Sequence, residues 1–136
     1  MSFFEDINGT KIIKEKLLDS EAEKLAKAFL IQPKKENKRE KALTSAQIRK
    51  FYSDFKQLEK KVNVKGFEQT LPFIKMMKSK ASYASNPGNQ KIPTVFKKFL
   101  LENVDEIKTK DDFHAFMLHF EAVVGFFFGL DARRIN

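Results

Sequence analysis

Few side chains in this sequence could make or break bonds. There is no Cys, so thiolate nucleophiles, thiolate zinc sites and disulfides are excluded. The two histidines, His114 and His119, are five positions apart. On a helix that is about 140° of rotation, too far round for both to reach one metal ion. Neither belongs to an H-E-x-x-H arrangement. Asp111-Asp112 has the composition of a metal-binding carboxylate pair. Two acidic residues in the first turn of a helix are better explained by the helix dipole. No Gly-rich phosphate loop and no G-x-S-x-G elbow occur. The chemistry left to the chain is recognition by charge.

The formal net charge is +8, and it is unevenly spread. From Lys34 to Lys98 there are 17 Lys or Arg against 5 Asp or Glu, a net +12, while the remaining residues carry −4. A basic middle of this size points to a polyanion, although the same charge could serve only to solvate a surface. Lys outnumbers Arg 22 to 4. Lysine is a point charge suited to phosphate, whereas arginine has the planar fork that reads guanine. Sequence-tolerant contact with a nucleic-acid backbone is therefore expected. The candidate contacts are Arg49, Lys56 and Lys60, which share one helical edge with Ser53, and Lys50 beside them. Lys75, Lys78 and Lys80 follow on a second helix. Tyr83 lies at helical spacing from Met76 and Lys80, off the apolar stripe, where its ring could stack on a base. Tyr52 sits at a core edge and is read as packing.

These residues need helices to position them. Five Gly and four Pro in 136 residues are few, which favours long helices over turn-rich sheet. The expected fold is all-α, a compact bundle of five or six helices in one domain over 1–136, with no convincing strand. A helical N-terminal segment is expected at 7–31, either with two apolar edges or split near Asp19-Ser20. A charged linker spans 32–42. Thr44-x-x-Gln47 forms a capping box ahead of the stripe Ile48, Phe51, Tyr52, Phe55, Leu58 and Val62. A third helix runs from about Phe67 to Tyr83, with Pro72 near its start. Asn86-Pro87-Gly88-Asn89-Gln90 is a loop. A short helix from Ile92-Pro93-Thr94 to about Asn103 follows. Thr109 caps the last helix, which reaches about Leu130. Most of the fifteen Phe fit core stripes. Phe126 points away from Phe127 and Phe128, so it lies either under another segment or in a protein contact. No run of about 18 apolar residues is present, so no membrane span is expected. The opening Met1 to Asp6 has no signal-peptide character, so a cytoplasmic location is expected.

Leu43-Thr44-Ser45-Ala46-Gln47-Ile48-Arg49-Lys50-Phe51-Tyr52 closely resembles the opening helix motif of the small subunit of type III-A CRISPR effectors, the Csm complex. Leu71 to Ala84, ending Lys80-Ala81-Ser82-Tyr83-Ala84, looks like the same family's lysine-bearing helix. Phe113 to Leu130 is similar to its C-terminal helix. The resemblance implies an all-α subunit, without catalysis of its own, in a ribonucleoprotein of antiviral defence. It implies contact with guide RNA and target RNA, and stacking against copies of itself, the other Csm complex subunits and the large Cas10 subunit. No cofactor is implied. Arg49, Lys50, Lys80 and Tyr83 carry over from the matching motifs. Lys56, Lys60, Lys75 and Lys78 rest on charge and helical position alone. After Tyr83 the sequence departs from the pattern: Ser85 to Asn89 stands where relatives have a basic or glycine-rich stretch, so no RNA contact carries over there.

Two other classes remain open on the residues. A dimeric helical DNA-binding regulator would share the basic middle. A nuclease would need Asp111 or His114 in a metal site.

Overall fold

The computed structural model describes residues 2–31, 34–35, 38–39 and 41–131. The chain opens with a hairpin rather than a helix. Strand β1 (Phe4–Ile7) pairs antiparallel with β2 (Thr10–Ile13), Phe4 opposite Ile13 and Ile7 opposite Thr10. The turn residues Asn8 and Gly9 have φ of +53° and +82°. Two positive-φ residues make the type I′ turn whose twist matches a hairpin. A 3-10 turn (Glu15–Leu18) then leads into α1 (Ser20–Leu30).

This corrects the expected helix over 7–31. Only its second half is helical, and the break falls at Asp19-Ser20. In the charged run 32–42, β3 (Lys34–Lys35) pairs with β4 (Lys38–Arg39). The other residues of 32–40 lie outside those described.

The remaining helices match the expected order. Helix α2 (Ser45–Lys65) begins at a capping box in which Thr44 and Gln47 exchange hydrogen bonds of 3.0 and 3.2 Å. A single residue, Gly66, separates it from α3 (Phe67–Ala84). Helix α4 (Thr94–Glu106) follows a 3-10 turn at Pro87–Asn89. Helix α5 (Lys110–Leu130) starts at a second capping box, Thr109 with Asp112.

Each helix packs on two others. Helix α1 lies on α5, α5 on α2, α2 on α3, α3 on α4, and α4 back on α1. The ring closes around phenylalanines that meet mostly edge-on. Phe29 of α1 meets Phe96 of α4 edge-on at 5.1 Å, and Phe55 of α2 meets Phe116 of α5 at 4.9 Å. Such T-shaped pairs add to what burial of the rings already contributes. By length and composition α5 could cross a bilayer. Here it is the core helix, with Phe113, Phe116, Phe120 and Phe127 buried in the middle of the ring. Phe126 is half-buried and packs against the core.

Candidate nucleic-acid interface

Helix α2 buries Ile48, Phe51, Phe55 and Val62, so its opposite side faces solvent. The period of 3.6 residues divides its polar residues between two edges. Arg49 and Lys56 lie on the edge toward α5, and Lys60 follows them at helical spacing. Lys50 and Lys61 border α3. The charges on the α5 edge are partly engaged. The guanidinium of Arg49 stands over the Phe128 ring at 5.4 Å. Lys56 donates to Glu59 at 2.8 Å and lies 6.0 Å from the Tyr52 ring. That hydrogen bond raises the Lys56 pKa, while burial, followed by the charge of Glu121, raises that of Tyr52. Lys60 is exposed.

The α3 edge of α2 forms one wall of a groove, and α3 forms the other. At one end, a recess of about 580 Å³ is lined by Lys50, Phe51, Lys80, Tyr83, Lys91 and Ile92 among others. Asp54 and Lys80 continue into a second recess of about 250 Å³, where Lys61, Phe73 and Met76 stand. The α3 wall exists because this helix turns Ile74, Met77 and Ala81 inward and leaves a second stripe outside. On that stripe Met76 is 51% exposed and Tyr83 74%. Lys61 stacks over the Phe73 ring at 4.2 Å. Lys50 lies 3.6 Å from Asp54. Among the described residues no ion pair holds Lys80 or Lys91.

Three of the eight expected contacts, Lys50, Lys80 and Tyr83, therefore come together in one groove. Lys75 and Lys78 do not join them. They face α4, where Lys75 Nζ donates to the Val104 carbonyl at 2.7 Å and Lys78 pairs with Asp105. Both close off the C-terminal end of α4, where cations complement the helix dipole. Burial, then the neighbouring Lys78, lowers the Lys75 pKa, and the Lys78 hydrogen bond lowers that of Asp105.

Lys91 was not expected at the site. The backbone N–H groups of Lys91 and Ile92 both donate to the Ala84 carbonyl, at 2.7 and 3.1 Å. The loop after α3 thus folds back on the end of that helix and delivers Lys91 to the groove. Its local sequence gives no sign of this return.

His119, Asp111 and Asp112 are occupied elsewhere, and His114 is exposed. His119 is buried, and its Nδ1–H donates to the Leu17 carbonyl. Asp111 pairs with Lys11 across to the hairpin at 3.4 Å. Asp112 serves the Thr109 cap. Among the described residues no three His, Asp or Glu converge as metal ligands. Nor do α2 and α3 form a helix-turn-helix, since one residue joins them where that motif uses three or four.

Comparison with known families adds one finding. The family model described as Csm2 Type III-A matches residues 13–127. No curated protein and no solved structure matches the chain.

Proposed function

The chain belongs to the Csm2 Type III-A family, the small subunit of the type III-A Csm complex, and from that premise we propose that it is a non-catalytic subunit that holds guide and target RNA by their phosphate backbone. The observation that carries this reading is the α2–α3 groove, where Lys50, Lys61, Lys80 and Lys91 stand around one recess and its continuation. Arg49 and Lys60 extend the positive surface across the open face of α2. Lys56, Lys75 and Lys78 contribute less, because the ammonium of each already donates a hydrogen bond within the chain. The arrangement suits a cytoplasmic ribonucleoprotein in which neighbouring copies, the other Csm subunits and the large Cas10 subunit cover the remaining surface. The groove itself offers a polyanion lysine point charges and no arginine fork for base edges, so binding there tolerates sequence.

Single-strand RNA affinity of the full chain, measured across a salt series, tests the reading. Affinity should fall linearly with log salt. Lys80→Ala should weaken every RNA sequence alike and reduce the magnitude of the slope by about 1. Lys78→Ala should change both much less. Affinity indifferent to salt, or loss confined to one sequence, would count against a backbone-binding role.

A further inference from the structure

We infer that the Tyr83 end of the α2–α3 groove is a slot for one unpaired nucleobase, with the phosphates on either side of it held by Lys50, Lys80 and Lys91. This rests on the RNA-binding reading and adds to it a subsite that distinguishes a free base from a paired one. The backbone contacts proposed above need no base at all.

The walls of the recess carry the argument. Phe51 and Ile92, 6% and 1% exposed, form an apolar floor. Tyr83 stands at the rim and is 74% exposed. A residue left this open packs little of its own fold, yet it brings an aromatic side chain to the edge of an apolar floor. The volume of about 580 Å³ lies within the range of small-molecule clefts, about 300–1,000 Å³.

Charge selects the kind of flat molecule. Lys80 and Lys91 flank the recess on its α3 side, and Lys50 answers them from α2. Asp54 puts a carboxylate in the same recess, 3.6 Å from Lys50, but it faces three lysines, Lys50, Lys80 and Lys91, so cations outnumber anions there. An apolar floor, an aromatic rim and surrounding ammonium groups together fit a planar group carried on an anionic chain. Single-strand binders combine the same elements, stacking platforms within a positive groove. A base inside a duplex has both faces covered by its neighbours, so only an unpaired one can enter.

Three probes separate this subsite from the backbone reading: a single-stranded RNA of mixed sequence, an abasic RNA of equal length, and a blunt RNA duplex. The single strand should bind the full chain more tightly than the abasic RNA. Tyr83→Ala should weaken the single strand by about 5-fold to 150-fold, the range for losing one stacked base. It should leave the abasic RNA unchanged. Tyr83→Phe should retain most of the affinity. Tyr52 and Tyr83 are the only tyrosines and there is no Trp, so in a Tyr52→Phe background the fluorescence of Tyr83 should be quenched by the single strand and not by the abasic RNA. Equal, salt-sensitive affinity for all three probes, unmoved by Tyr83→Ala, would overturn the slot and leave the backbone reading standing. Failure to bind any of them would overturn both.

Discussion

His119 and Lys75 are both cationic groups whose pKa burial lowers. Burial lowers the His119 pKa from its usual value near 6.5, and the hydrogen bond to Leu17 only partly offsets this. The unfolded chain therefore takes up a proton near pH 6.5 that the folded chain refuses. Stability is full above that value and is lost as pH falls below it toward the folded pKa. Denaturant melts at about pH 7.5 and about pH 5.5 should show this loss. A His119→Gln variant should be less stable at the higher pH and nearly flat between the two. An unaltered slope in that variant would rule His119 out as its source. Lys75 shows what local sequence hides. Its lysine-rich neighbourhood reads as a binding surface, but its partner is the Val104 carbonyl on another helix. Lys80 and Tyr83 were legible, because their offset from the apolar stripe of α3 already placed them outside.

At the level of elements, Gly66 controls the groove. Its φ of +94° and ψ of 159° lie in a region essentially reserved for glycine. Nothing lies within 4 Å of where a Cβ would stand, so the constraint is the backbone itself. Gly66→Ala should cost about 1–3 kcal/mol in a chemical melt. It should also weaken RNA binding, since α2 and α3 meet through this residue. Stability equal to the parent would show that the junction relaxes freely. The helices themselves were legible from periodicity and two capping boxes. The N-terminal hairpin was not read, although Asn8-Gly9 is the strongest short hairpin signal there is. The lysine, glutamate and leucine that follow are strong helix formers, and their propensity masks the turn in the local sequence.

Across the whole molecule the helix ring depends on its central aromatics. Phe120 touches Tyr52 and Phe55 of α2 and Phe99 of α4, at ring distances of 5.4, 5.9 and 5.5 Å. Phe120→Ala should cost about 3–5 kcal/mol, a large share of the about 5–15 kcal/mol that holds a typical domain together. Phe73→Ala, on the groove wall and 45% exposed, should cost far less. Comparable losses in the two variants would mean that the core is not where stability resides. Composition had announced this aromatic interior, but not that the ring closes by setting α1 against α5. That closure bears on how the chain is made. A chain leaves the ribosome from its N-terminus, at roughly 5–20 residues per second. The buried face of α1, with Ala22, Ala26 and Phe29, must wait for α4 and α5, which emerge only after α2 and α3. The groove helices, joined by one residue, can pair as soon as both are out. The groove half can thus assemble during synthesis while the apolar face of α1 is still uncovered, leaving that face as the stretch a chaperone would grip.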